Sequence, residues 1–215
     1  MLRVEGLGKH FGETAVFDSV SLALARGEFV ALLGESGVGK STLLNCIAGL
    51  DRADRGRVVI EGTDLATLDD DGCARLRRQQ LGFVFQAFHV LPHLTVAENV
   101  SLPLRLLRRQ DDARVAAMLD AVGLGGLGAR LPAQLSGGQL QRVAIARAVV
   151  HSPALILADE PTGNLDPETA ERVLAVLQTQ VREAGAACLL VTHSAAAAAR
   201  AHRLQRLTAH GIVDA

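Results

Sequence analysis

A glycine-rich turn near the N-terminus constrains the fold more than any other part of the chain. The segment 34–42, Gly-Glu-Ser-Gly-Val-Gly-Lys-Ser-Thr, follows an apolar run at 29–33 and precedes a helix-like stretch at 43–50. A bend that turns several backbone N–H groups toward one anion needs positive φ angles and close approach, and the three glycines tolerate both. The sequence therefore predicts a phosphate-binding loop that joins a strand to a helix.

Two side chains of this loop add chemistry to the backbone. Lys40 is expected to reach the β- and γ-phosphates of a nucleotide and to act in catalysis, and Ser41 is expected to hold Mg²⁺. The N-terminus of the following helix contributes its dipole. The residues predicted to bind the nucleotide here are Gly34, Glu35, Ser36, Gly37, Val38, Gly39, Lys40, Ser41 and Thr42.

The composition indicates one folded domain. Of the 215 residues, 49% are hydrophobic, so a sizeable core can form. The apolar runs fall far short of the ~20 residues that span a bilayer, and the N-terminus lacks a signal-peptide core, so a cytoplasmic location is expected. A formal net charge of −1 argues against general nucleic-acid binding, and the arginine clusters at 75–78 and 105–109 are interpreted as solvated helix faces. Cys46, Cys73 and Cys188 lack metal-binding spacing and are expected to be free thiols.

The N-terminal third is rich in predicted strands, and the centre is rich in predicted helices. A small β-layer around the strand 28–33 is predicted from the strands 2–7, 20–24 and 57–61. A further strand is predicted at 81–85. Helical periodicity marks 96–107, 112–122 and 138–150, with breaks expected at Pro92, Pro103 and Pro132.

The C-terminal third alternates between strand and helix. The predicted elements are a strand at 154–158, a helix at 167–182, a strand at 187–192 and a helix at 195–201. Continuously apolar strands in this alternation are typical of an α/β fold, with a parallel sheet covered on both faces. We therefore expect a single domain, 1–215, with a core at about 1–86 and 151–215 and an inserted helical lobe at about 87–150.

Two adjacent carboxylates follow the predicted strand 154–158. Ligands of open α/β sheets bind beyond the carboxyl ends of the strands, where Asp159 and Glu160 would lie. Asp159 is suited to Mg²⁺, directly or through water, and Glu160 is suited to orienting or deprotonating an attacking water. The alternative interpretation is a pair of surface acids that ends a strand. The phosphate-binding loop upstream makes this alternative much the weaker one.

The pentapeptide Leu-Ser-Gly-Gly-Gln at 135–139 begins the predicted helix 138–150, with Ser136 as a plausible N-cap. It is a second candidate anion site at a helix N-terminus, and an ordinary cap does not need the whole string. With the loop and the carboxylate pair in this order, the chain resembles the ATP-binding cassette (ABC) family over essentially its whole length. The resemblance implies a P-loop NTPase fold with a RecA-like parallel sheet core, a small antiparallel β-layer and an inserted helical subdomain.

The resemblance also implies roles that the residues alone do not establish. Phe11 matches the aromatic residue that stacks on adenine, and Gln86 matches the glutamine that touches Mg²⁺ and the attacking water. His193 matches the histidine that senses the γ-phosphate, and the segment 163–166, Gly-Asn-Leu-Asp, matches the segment that contacts the partner subunit. Asp166 of this segment is expected among the nucleotide-binding residues. Taken alone, Gln86 is a strand-end amide, His193 a structural histidine and Asp166 a helix cap.

The implied mechanism needs two copies of the chain that pack head to tail. Each copy supplies Ser136, Gly137, Gly138 and Gln139 to the ATP held by the other, so that hydrolysis separates the halves. The expected cofactors are ATP and Mg²⁺. The expected partners are a second copy and an integral membrane permease, with no nucleic acid, which implies a peripheral location on the inner face of the cell membrane.

Two segments, 81–104 and 159–166, resemble the subfamily of lipoprotein-releasing, macrolide-exporter and cell-division ATPases. The departures are mild: Ser194 stands where many relatives have an acid, and the tail 202–215 is less typical. We therefore expect an ATPase that drives a permease of the lipoprotein-release or macrolide-export type. The rival hypothesis is a non-transport ATPase that gates a cell-division or cell-wall-hydrolase complex through a permease-like partner.

Overall fold

Two β-sheets and seven α-helices make up the part of the chain that the structure describes. This computed structural model covers residues 1–163, 165–208 and 211–214. The strands are β1 (Leu2–Phe11), β2 (Thr14–Leu24), β3 (Phe29–Leu33), β4 (Arg55–Ile60), β5 (Thr63–Asp64), β6 (Leu81–Val84), β7 (Leu155–Asp159), β8 (Ala187–Val191), β9 (Arg203–Thr208) and β10 (Gly211–Asp214). The α-helices are α1 (Lys40–Ile47), α2 (Asp70–Gln80), α3 (Val96–Leu106), α4 (Asp112–Ala121), α5 (Gly137–Val149), α6 (Pro167–Ala184) and α7 (Ala195–Ala198).

The central sheet has six strands in the order β10-β9-β3-β8-β7-β6, and all of its neighbours pair in parallel except β10 and β9. Successive residues of β7 enter two different hydrophobic cores. Leu155 and Leu157 pack in the core that contains α1, whereas Ile156 and Ala158 pack in the core that contains α3, α5 and α6. The predicted parallel sheet with both faces covered is confirmed.

The second sheet is antiparallel, in the order β2-β1-β4-β5. The expectation that the strand 28–33 belongs to this layer was wrong, because β3 lies inside the parallel sheet between β9 and β8. The physical reason is its burial. Residues 29–32 are at most 1% exposed, whereas much of β1 and β2 alternates between buried and exposed residues, as befits a sheet with one wet face.

Helices α3, α4 and α5 occupy the region predicted as the inserted lobe, whose boundaries at 87–150 remain a prediction. A capping box between Thr95 and Glu98 begins α3. The expectation of a break at Pro103 was wrong, since Pro103 lies within α3. Burial of Val100 and Leu104 against the core stabilises the helix on both sides of the missing N–H donor.

Close approach of α5 to β6 positions the helix that carries the 135–139 pentapeptide. A Cβ atom added at Gly82 of β6 would lie 2.2 Å from the carbonyl oxygen of Ala148, so only glycine allows this backbone contact. The position of β6 in the sheet therefore determines the path of α5.

Some elements differ from the sequence-based expectations. The predicted helix 195–201 ends at Ala198, while α2, β5, β9 and β10 have no counterpart among the predicted elements. None of the helices in residues 1–163, 165–208 and 211–214 combines the length and apolar character needed to cross a membrane.

Candidate active site

A cleft of about 400 Å³ opens where β3, β6, β7 and β8 end. The chain segments that follow these parallel strands meet at one edge of the sheet, as expected for a ligand site in an α/β fold. The cleft is lined by Phe11, Val16, Ser36, Gly37, Gly39, Lys40, Ser41, Thr42, Gln86, Asp159, Glu160 and His193. Only Val16 in this set is not among the residues predicted from the sequence.

The remaining predicted site residues lie outside this cleft. Gly34, Glu35 and Val38 belong to the same loop without lining it, and Ser136–Gln139 and Asp166 lie at the starts of α5 and α6. The structure therefore groups one set of predicted residues around the loop and leaves a second set at two helix N-termini.

The 34–42 loop has the backbone that an anion site needs. Gly37 and Gly39 adopt φ angles of 80° and 99°, and a Cβ at Gly39 would lie 2.5 Å from Cγ1 of Val16. Gly39 caps α1 without any side-chain hydrogen bond to the first turn. The leading N–H groups of α1 are therefore available to an anion, and the helix dipole favours one there.

Lys40 is the first residue of α1 and is only 8% exposed. Its Nζ donates hydrogen bonds to the carbonyl oxygens of Gly34 (2.9 Å) and Glu35 (2.7 Å). The loop thus folds around its own ammonium group, which places a positive charge at the centre of the bend and in the wall of the cleft.

Glu160 is held in an unusual backbone conformation at the end of β7. Its φ angle is 47°, which is uncommon for a residue with a side chain, and its N–H donates to the carbonyl of Val191 at 3.0 Å. Its Oε2 accepts from the backbone N–H of His193 (3.3 Å) and from Oγ1 of Thr192 (3.5 Å). The segment after β8 therefore aims the Glu160 carboxylate.

The other carboxylate oxygen of Glu160 is buried and accepts no hydrogen bond from the described residues. It lies 3.5 Å from Nε2 of His193, close enough for an ion pair if the imidazole is protonated. The Glu160 side chain lines the cleft beside the phosphate loop, and a carboxylate placed there can take a proton from a bound water molecule.

The donor set suits Mg²⁺. Asp159 is 6% exposed, and its carboxylate forms no ion pair within the described part of the chain. Ser41 and Gln86 supply a hydroxyl and an amide to the same cleft. No cluster of three or more His, Cys, Asp or Glu side chains that could hold a metal occurs among the described residues. Magnesium fits such a site, because it is usually held by one or two carboxylates together with substrate phosphates and water.

Gln86 belongs to a segment that is hydrogen-bonded to α5. Arg147, on α5, donates to the carbonyl oxygens of His89 (2.9 Å) and Phe88 (3.3 Å), and burial lowers the pKa of its guanidinium. The Phe85 ring contacts the His89 ring edge-on, with centroids 4.7 Å apart. Sequence reasoning did not identify Arg147 or Thr192 as site residues. A lone arginine within the apolar stretch 143–150 was the available signal for Arg147.

Ser136 and Asp166 both act as N-caps. The Ser136 hydroxyl accepts from the Gln139 N–H at 3.3 Å while the Gln139 side chain accepts from the Ser136 N–H, which forms a capping box at the start of α5. Asp166 accepts from the Thr169 N–H at 3.0 Å, and hydrogen bonding with Thr169 lowers the pKa of this carboxyl below its ordinary value. Asn164, which the sequence places in the same partner-contact segment, lies outside the described residues.

Comparison with known proteins identifies the family. A family model described as ABC transporter matches residues 17–163. The chain belongs to the ABC transporter family. The lipoprotein-releasing system ATP-binding protein LolD of Cereibacter sphaeroides is 45% identical over 99% of both chains. LolD of Anaeromyxobacter dehalogenans is 49% identical over 93% of this chain and 85% of its own.

Other ABC relatives share the same core. The methionine import ATP-binding protein MetN of Brucella abortus is 44% identical over 90% of this chain, which spans 53% of that protein. The dimeric cassette MJ0796, in a post-hydrolysis state bound to ADP and Pi, has a TM-score of 0.93 and 37% identity, covering 100% of this chain and 98% of its own. The chain is an ATP-binding cassette ATPase with the fold predicted from its sequence.

We expect Lys40→Ala to weaken ATP binding about 10- to 100-fold, because hydrogen bonds to charged groups contribute about 1.5–3 kcal/mol. Titration with a fluorescent ATP analogue measures the change. Arg78→Ala, which removes an exposed cation from α2, is the control and should bind like the wild type. Unchanged affinity in Lys40→Ala would contradict the role of the 34–42 loop.

Proposed function

We propose that the chain works as a homodimer that closes around two ATP molecules and, on hydrolysis, drives an integral membrane permease of the lipoprotein-release type. The observation that carries this proposal is the meeting of Lys40, Asp159, Glu160, Gln86 and His193 in one cleft. These residues lie at or after the carboxyl ends of four separate parallel strands, and together they provide a phosphate anchor, a metal ligand and a base.

Each side chain has a role that follows from its contacts. Lys40 and the first N–H groups of α1 bind the phosphates. Ser41, Asp159 and Gln86 would hold Mg²⁺, which supplies positive charge to the phosphate oxygens when bound. Glu160, whose side chain lines the cleft, orients and deprotonates the attacking water. His193, whose Nε2 lies 3.5 Å from Oε1 of Glu160, lines the same cleft, and we assign it to sensing the γ-phosphate.

The second set of residues completes the site across the dimer. Ser136, Gly137, Gly138 and Gln139 begin α5, and the start of a helix is suited to binding an anion. Because this segment does not line the cleft of its own chain, we assign it to the ATP held by the partner. Asp166, at the start of α6, is assigned to the same dimer interface. The dimeric form of the MJ0796 cassette supports this arrangement.

The membrane partner is inferred from the relatives. Two LolD proteins match this chain over most of their length, and their names specify lipoprotein release. The segments 81–104 and 159–166 favour the same subfamily. We therefore place the chain at the inner face of the cell membrane, bound to a permease.

The Glu160→Gln variant should retain ATP binding and lose about 10²- to 10⁴-fold in turnover, because the amide keeps the shape and removes the base. Phosphate release measures turnover, and size-exclusion chromatography with ATP and Mg²⁺ should detect accumulated dimers. Glu61→Gln is a matched control, since Glu61 also has a positive φ angle (49°) but does not line the cleft. Near wild-type phosphate release by Glu160→Gln would refute the assigned base.

Ser136→Arg should spare ATP binding by the monomer and block hydrolysis, since the arginine would obstruct the dimer interface. The substitution also removes the cap of α5, which costs about 1 kcal/mol. Asp111→Arg is the matched control, because it removes the side-chain cap of α4, another helix of the same region. Full hydrolysis by Ser136→Arg would exclude a role for this segment at the partner's ATP.

Mixing two inactive variants tests the composite site directly. In a heterodimer of Ser136→Arg with Lys40→Ala, both lesions fall in one composite site and the other site is intact. Recovered hydrolysis on mixing supports sites shared between chains. A silent mixture indicates strict coupling between the two sites, and a structure with Ser136 against its own loop would refute sharing.

Purified with its permease in lipid vesicles, the ATPase should turn over several-fold faster when a lipoprotein is supplied. A non-acylated form of the same protein is the control. Stimulation by free methionine would instead favour the MetN-like function. Stimulation by a cell-wall hydrolase, with no lipoprotein effect, would favour the gating function.

A further inference from the structure

The chain has only two lysines, and both are buried beside the cleft. Of its 22 basic residues, 20 are arginine, so lysine is used only at positions 9 and 40. Lys40 belongs to the phosphate-binding loop, whereas Lys9 does not line the cleft. It is 7% exposed, which is rare for a lysine. The ammonium group of lysine is more compact than the planar guanidinium of arginine, so the contacts of Lys9 are of interest.

Three groups surround the Lys9 ammonium. Its Nζ donates to Oδ1 of Asp51 (2.8 Å) and to the carbonyl oxygen of Arg52 (2.7 Å), and it lies over the ring of Phe11 at 5.1 Å from the centroid. The Asp51 carboxylate, which accepts the first bond, raises the pKa of Lys9 above its ordinary value. Lys9 therefore stays charged and presents that charge to an aromatic face.

The anchor of Lys9 leads back to the phosphate loop. The Asp51 N–H donates to the carbonyl of Asn45 (3.3 Å) in α1, the helix that begins at Lys40. Two further bonds join the same segment to β1: the Asp54 N–H donates to the Gly8 carbonyl (2.9 Å), and the His10 N–H donates to Oδ2 of Asp54 (2.6 Å). The end of β1 is thus fixed relative to α1.

Phe11 is the residue whose ring the anchored Lys9 contacts. It is the last residue of β1, before the turn at Gly12, and it is 57% exposed at the edge of the cleft. A ring with this exposure lacks the packing that fixes a core aromatic. Contact with a charge that is itself anchored supplies a preferred orientation for one face of the ring.

We propose that Lys9 is a positioning residue for nucleobase recognition, which holds the Phe11 ring at a fixed distance from the phosphate loop so that the ring can stack on adenine. This inference rests on the proposed function as an ATPase and takes Phe11 to be the stacking residue that the family resemblance implies. Arginine does not substitute, because Asp51, the Arg52 carbonyl and the ring face enclose a compact donor with three directions.

Steady-state hydrolysis distinguishes positioning from a structural role. Lys9→Met should raise the KM for ATP about three- to tenfold and leave kcat at saturating ATP within about twofold. Inhibition by inorganic tripolyphosphate, which has the phosphates without a base, should be unchanged. Arg52→Met is the matched control, because it removes a nearby cation that is 87% exposed and keeps the carbonyl that Lys9 uses. It should leave the KM unchanged.

A double-mutant cycle tests whether Lys9 acts through the ring. Phe11→Ala should raise the KM about tenfold or more, and adding Lys9→Met to it should have no further effect. Lys9→Arg, which keeps the charge, should behave like Lys9→Met. Should Lys9→Met fail to fold because Asp51 is left without its partner, Lys9→Met with Asp51→Asn takes its place.

The outcomes distinguish failure of the positioning role of Lys9 from failure of base stacking at Phe11. An unchanged KM in Lys9→Met, equal weakening of tripolyphosphate, or additive effects with Phe11→Ala would overturn the positioning role while ATP hydrolysis stands. A wild-type protein that binds ATP no better than tripolyphosphate would instead refute base stacking at Phe11, and with it the proposed function of that residue.

Discussion

Four parallel strands that end at one edge of the sheet are the constraint on which the site depends. The segments after β3, β6, β7 and β8 deliver the phosphate loop, Gln86, the carboxylate pair and His193 to a single cleft. The strands cannot slide past one another without exposing residues that are almost completely buried on both faces, such as Ile156 and Leu157. Packing of the two cores therefore determines the geometry of the chemistry, although few core residues touch the cleft.

Hydrogen bonds between neighbouring segments fix the positions of the site residues more finely than the sheet alone does. Glu160 follows β7 and receives its hydrogen bonds from residues that follow β8. Gln86 follows β6, and Arg147 on α5 holds the segment after it. Because Ser136 caps the N-terminus of α5, the same helix contacts the segment after Gln86 at one ATP site and carries the residues assigned to the other. A shift of α5 would therefore change the surroundings of both ATP sites.

Sequence reasoning predicted the phosphate loop, the buried strands and the carboxylate pair from the residues themselves, because backbone bends and apolar runs are local properties. It did not predict α2, in which only Gly72 and Leu76 are buried and no apolar stripe is present. The hydrogen bond from Arg147 to His89 joins residues 58 positions apart in the sequence, and the hydrogen bond from Lys9 to Asp51 joins residues 42 positions apart. Such contacts depend on tertiary structure. The roles of Phe11, Gln86 and His193 rest on family resemblance. An amide or a histidine at the end of a strand does not by itself indicate a function.

The positive φ angle of Glu160 has an evolutionary consequence. A left-handed backbone costs a residue with a Cβ atom about 1–2 kcal/mol relative to glycine, so the folded state is strained at the residue assigned as the base. Replacement by glycine would relieve this strain and remove the carboxylate in the same step. In a lineage no longer selected for turnover, stability alone would then favour loss of the base, and only continued demand for hydrolysis keeps a glutamate at this position.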